Sequence, residues 1–298
     1  MLLRSGTTHE ALFAVAFEGQ IGVAVGATGA ILASTDGGKH WKRAPSAPTP
    51  LALLGVALAP GHALIVGQKG TILTMDAQGR WQPQVSGTEE RLFGVSVNEA
   101  GRAVAVGAFG TLLVSDDGGQ RWRSAAPNWA QYFPNGEQPH LYAAKVSERG
   151  IITVAGEFGL ILRSDDGGVT WRTLHQGDAS LFSLDLREDG GGYAVGQNGT
   201  ILRTEDGGKT WSELATETRA ILLGVWSDVH GRVVVTGMHE LLMSADGGRT
   251  WQRPEGDMVT ANWFADVQAA PTTSEILAVG RSAQIVRVFT YGETDAPE

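Results

Sequence analysis

The stretch 163-RSDDGGVTW-171 carries paired aspartates beside two glycines, a combination that suits a metal loop or an acid/base pair as well as a turn. Its recurrence decides between them. Ser34 to Trp41, Ser115 to Trp122, Thr204 to Trp211 and Ser244 to Trp251 repeat the pattern, and Thr74 to Trp81 is a worn copy. Trp41, Trp81, Trp122, Trp171, Trp211 and Trp251 fall at steps of 40, 41, 49, 40 and 40 residues. A motif present six times is architecture rather than one active site.

Each period holds four short alternating runs divided by turn residues, as in LFSLDL, GYAVG, TILRT and WSELA between residues 181 and 215. Alternation of this length marks antiparallel strands. Four strands per period of about 40 residues are a β-propeller blade. Asp36, Asp117, Asp166, Asp206 and Asp246 are read as structural: an aspartate accepts backbone N–H bonds inside a tight turn, and glycine supplies the left-handed backbone. The following tryptophans are read as structural aromatics packed between sheets. A calcium loop needs ligands spread over about twelve residues, ending in a bidentate glutamate, which none of these turns offers.

A last set, from Trp263 to Phe289, lacks an outer strand. Matching Leu12-Phe13 with Leu181-Phe182 places Leu2 where Trp171 stands, so residues 2–6 are expected to complete the seventh blade and close the ring, which removes an open edge. The expectation is an all-β, seven-bladed β-propeller with four-stranded antiparallel blades and Asp-box turns, forming one domain over residues 1–298. The repeats leave no Pro- or Ser-rich linker.

The 298 residues are 42% hydrophobic and 18% charged, with a net charge of -9. A phosphate-binding protein needs a basic stripe, so nucleic acid is not an expected partner. No cysteine is present, which removes disulfide and thiolate chemistry. No run of about 18 apolar residues exists to span a membrane, and MLLRSGTTHE lacks a signal-peptide core. The chain reads as soluble and monomeric, with a periplasmic or lumenal home open to it if a leader is removed. The seven histidines are scattered without ligand spacing, so no metal or other cofactor is expected.

The consensus L-x-G-V followed by A-V-G-x-x-G-T-I-L-x-S-x-D-G-G-x-T-W, seen in 92–122 and 194–211, resembles the photosystem II stability/assembly factor family of propellers, built from Asp-box (bacterial neuraminidase-type) repeats. The resemblance covers essentially the whole chain. It implies a non-enzymatic scaffold that binds a protein partner, such as a membrane protein complex or transporter, and assists its assembly or operation.

In such blades the turns between second and third strands share a face with the connections between blades, and the Asp-boxes occupy the other. Phe109 and Phe158 stand at two of the former turns, beside the one long insertion, about 124–142 between blades three and four, with Trp129, Tyr132 and Phe133. These five aromatics are candidate partner-binding residues, since interfaces use aromatic anchors. The competing reading is that the insertion folds back and buries its own rings.

Inner strands carry a third position read as Ala14, Gly55, Gly94, Ala143, Ser183, Gly224 and Ala265, small enough for seven blades to converge. Two residues on stand Ala16, Ala57, Ser96, Lys145, Asp185, Trp226 and Val267, which predicts an ion pair between Lys145 and Asp185 on adjacent blades. The reading from a different class is a sialidase-like glycoside hydrolase or glycan-binding propeller, with Glu157, Asp185 or Asp266 as acid. It needs an arginine trio converging on a shallow pocket, together with a Tyr/Glu nucleophile.

Overall fold

A computed structural model describes residues 2–4, 6–7, 10–44, 48–254, 259, 261–270 and 275–288. Ser5, His9 and Phe289 lie outside the described residues. The chain forms seven antiparallel sheets arranged as blades around an axis. Blade one runs from Leu12–Glu18 through Ile21–Gly26 and Ile31–Ser34 to Lys42–Arg43, and blades two to five repeat this order. In blade six the fourth strand shrinks to one bridge, Met243 to Gln252. Blade seven combines Phe264–Ala270, Glu275–Gly280 and Ile285–Val288 with Leu2–Arg4, which pairs antiparallel to Ile285–Val288 and closes the ring.

The glycine of each A-V-G run has a steric cause. A Cβ on Gly26 would sit 1.9 Å from the Ala11 carbonyl oxygen, and on Gly280 it would sit 2.1 Å from that of Trp263. Opposite each such glycine stands the first inner-strand residue, followed by a one-residue bulge. This pairing fixes the register of blade seven. Gly280 faces Phe264, so Asp266, not Ala265, takes the third position, and Gln268, not Val267, takes the fifth. The sequence alignment is therefore one residue off in that blade, because it aligned Trp263 with Leu12 and ignored the glycine's partner.

The Asp-boxes are self-satisfied turns. Ser164 Oγ donates to Asp166 Oδ1 (2.8 Å) and accepts from the Gly168 N–H (2.8 Å), while Asp166 also takes the Thr170 N–H (2.9 Å). The same bonds recur around Asp36, Asp117, Asp206 and Asp246. Accepting these donors holds Asp206 and Asp246 down at about 2, through the Thr210 and Thr250 hydroxyl and N–H groups first. The indoles of Trp41, Trp122 and Trp211 bond the carbonyl of the second box glycine, and Trp171 bonds Ala125 instead. Between blades the sheets pack through Val, Leu and Ile. One such layer joins Val104, Val114, Val154 and Leu162 of blades three and four.

Candidate functional site

The turn between second and third strands sets at least one non-glycine residue at positive φ in each blade, and in blade six it shortens to Met238 and His239. Thr28, Lys69, Phe109, Phe158, Asn198, His239 and Ser282 all adopt positive φ, between 51° and 59°. Asparagine tolerates this region; a phenylalanine there is strained and has no local hydrogen bond to compensate. Phe109 is 58% exposed and Phe158 38% exposed.

Neighbouring residues fix both tips. The Phe109 N–H donates to His140 Nδ1 (2.9 Å), which sets His140 as the Nε2–H tautomer, and the two rings meet edge to face at 4.9 Å. Phe158 rests on Phe133 with centroids 5.1 Å apart.

The insertion folds back. Trp129 is 7% exposed and its indole N–H donates to the Gly110 carbonyl (3.2 Å), while Phe133 is 9% exposed. Both join the apolar layer between blades three and four. The Tyr132 hydroxyl donates to the Trp171 carbonyl (3.0 Å). Of the five candidate aromatics, Phe109 and Phe158 face solvent, Trp129 and Phe133 are buried, and Phe133 supports Phe158.

The inner strands add an aromatic layer that the sequence reading missed. Phe93, Tyr142 and Phe182 line the loop-face mouth of the axial channel, and Tyr142 lies 5.2 Å from Phe93 and 4.9 Å from Phe182. The L-F or L-Y that opens the inner strands of blades one, three, four and five was the available signal. Burial, then the Glu157 carboxylate beside it, pushes the Tyr142 phenol up to about 12.

The proposed acids do not converge. Glu157 is engaged by the His140 N–H (2.7 Å) and the Tyr142 hydroxyl (3.5 Å) on the loop face. Asp266, in the channel wall of blade seven, accepts the N–H groups of Val15 (2.9 Å) and Val267 (2.8 Å), and burial pushes it up to about 7 against those bonds. Asp185 is raised by burial and takes the Ser227 hydroxyl (2.5 Å). The predicted Lys145–Asp185 ion pair is not formed: among the described residues neither side chain has the other within 4.0 Å, because the carboxylate takes the hydroxyl of Ser227 in blade six, which itself accepts from Arg187, although the Lys145 charge still acts on Asp185.

Arg149, Arg163 and Arg187 do line one cavity, between blades four and five on the Asp-box face. Arg163 and Arg187 are ion-paired with Asp165 and Asp189, and no tyrosine lines the space. The sialidase criterion is met only in part. Among the described residues no cluster of three or more metal-ligating side chains occurs, and no helix is long and apolar enough to cross a membrane.

The sequence profile described as photosynthesis system II assembly factor YCF48 matches residues 3–128 and 145–224. The chain belongs to this family. The unmatched interval between the two segments contains Trp129, Tyr132 and Phe133, so the insertion departs from the family pattern.

Among solved structures, "YCF48 bound to D1 peptide" is similar over 99% of this chain and 96% of that one, at 18% identity and a TM-score of 0.76. YCF48 from Cyanidioschyzon merolae is similar over 96% and 97%, at 15% identity and 0.75. A GH74 xyloglucanase from Xanthomonas campestris is similar over the whole chain but 54% of its own, at 16% identity and 0.78. At such identities these likenesses show the shared propeller fold. A search of curated proteins found no match.

Proposed function

We propose that this chain is a non-enzymatic scaffold that binds an exposed segment of a membrane-complex subunit across its loop face, with Phe109 and Phe158 as anchors. The carrying observation is the pair of exposed phenylalanines held at positive φ. Strain of this kind, of order 1–3 kcal/mol per residue, persists where surrounding structure enforces it and function uses it. The turn imposes this φ in every blade, and His140 and Phe133 hold the two phenylalanine rings in place on it. Family membership and the D1 peptide held by a YCF48 propeller support a peptide segment as ligand.

The test is affinity capture from detergent-solubilised native membranes, with wild type against the combined Phe109→Ser, Phe158→Ser variant. The expected result is a membrane subunit recovered by wild type and lost by a variant that melts at the same temperature. Identical capture by both proteins would remove the loop-face tips from the binding surface.

A further inference from the structure

Each inner strand gives up one residue to the channel mouth. Its first residue pairs with a glycine of the second strand and its third resumes the ladder, so the second is a bulge with no partner across the ladder. A bulge re-aims a side chain. In blades one to six the bulged residues are Phe13, Leu54, Phe93, Tyr142, Phe182 and Leu223; all are large and half-buried, and all line the axial cavity of about 300 Å³. Blade seven has the small Ala265 at this place.

Behind this ring the wall is small and its polar groups are engaged. Ala14, Gly55, Gly94 and Ala143 follow the bulged residues, and a Cβ on Gly94 would lie 2.6 Å from the Tyr142 carbonyl oxygen, so the strands converge closely there. Asp266 gives one oxygen to the Val15 N–H (2.9 Å) and the other to the Val267 N–H (2.8 Å). Ser96 accepts the Val146 N–H (3.0 Å) and Ser183 the Val225 N–H (3.3 Å). At the rim Glu157 takes the His140 N–H and the Tyr142 hydroxyl, and the Lys145 charge acts on Asp185. A charged side chain entering the mouth would lose its water without meeting a free counter-charge. An apolar one gains burial against the rings.

The mouth is continuous with the exposed tip of blade three. Phe109 meets His140 at 4.9 Å, His140 meets Phe93 at 6.1 Å and Tyr142 at 6.2 Å, and Tyr142 meets Phe182 at 4.9 Å. A chain lying on Phe109 therefore follows an unbroken aromatic path to the axis. Anchoring side chains of an interface sit in such apolar pockets near its centre.

We propose that the channel mouth is the socket for one uncharged apolar side chain, aromatic or long aliphatic, carried by the protein segment that lies across the loop face. The source of that segment rests on the scaffold function proposed for Phe109 and Phe158; the chemistry of the socket does not.

Amide chemical-shift titration of the full chain tests the socket, using capped tripeptides with phenylalanine, lysine or glutamate between two glycines. Saturable shifts around Phe93, Tyr142 and Phe182 are expected with the phenylalanine peptide, which should bind about tenfold tighter than the other two, the scale of one buried apolar side chain. Ala265→Lys adds a charge at the mouth without deleting a packed ring and is expected to abolish that preference; Leu223→Lys serves if the first variant does not fold. Val229→Lys, at a 65% exposed position beyond the far end of the blade-six inner strand, should leave it unchanged. Capture from native membranes separates the socket from the tips. Loss of the membrane subunit with Ala265→Lys is expected. Capture kept by Ala265→Lys but lost by the combined Phe109→Ser, Phe158→Ser variant would overturn insertion and leave the tips as the interface, and the reverse pattern would keep the socket and discard the tips as anchors. Equal binding of the three peptides, shifts without saturation, or a concentration-dependent dimer that Ala265→Lys disperses would each overturn the proposal.

Discussion

Replacing Trp129 with alanine separates a ring that anchors a partner from one that pins a loop. The indole is 7% exposed, packs at 6.0 Å from Tyr132 and 6.5 Å from Phe133, and donates to the Gly110 carbonyl (3.2 Å). Deleting a buried tryptophan costs about 3–5 kcal/mol, and the lost hydrogen bond accounts for about 1 kcal/mol of that scale. A domain with a total stability of about 5–15 kcal/mol stays folded at 25 °C after this loss. Its melting temperature is expected to fall on the order of 10 °C. Trp129→Phe, which keeps most of the volume and loses the donor, is expected to fall by a few degrees. The assay is scanning calorimetry beside partner capture. A melting temperature within about 1 °C of wild type, far short of that shift, together with lost capture would refute the reasoning and make Trp129 a direct anchor.

Other perturbations test the frame and its charges. The Asp-box carboxylates lie below their unfolded values, so their contribution is present above about pH 4 and is lost as pH falls toward about 2. Asp246→Asn should lower the melting temperature at pH 7 and converge with wild type in strong acid; a constant gap across pH would contradict this. Asp266 has the opposite sign, because burial raises it to about 7 and the folded state holds a proton that the unfolded state releases. Its contribution is full below about pH 4 and fades as pH rises through 7, so Asp266→Asn should flatten the melting profile between pH 5 and 8, and an unchanged slope would reject the assignment. Leu3 packs against the apolar cluster that contains Ala283 and Ile285 at the ring closure. Leu3→Asp should cost about 1–3 kcal/mol by placing a charge in an apolar seam, read as a lower urea midpoint, whereas an unchanged midpoint would show that the closing strand adds no stability.

The repeat, the Asp-box turns and the closing N-terminal strand are legible in the order of residues, because alternation, turn residues and a tryptophan at fixed spacing mark each blade and show which strand the last one lacks. Phe109 and Phe158 could likewise be placed on one face from their turn position. Tertiary structure decided what depended on competition among distant groups. Asp266 took the inner-strand position assigned to Ala265 because Gly280 alone admits the Trp263 carbonyl, a contact 17 residues apart. Asp185 left Lys145 for the Ser227 hydroxyl, 42 residues away, which spacing along one blade cannot show. Trp129 and Phe133 went inward because a gap between blades three and four accepted them. The ring of bulged residues from Phe13 to Leu223 became visible once strand register was known, since only the pairing of each inner strand with its neighbour shows which residue leaves the ladder.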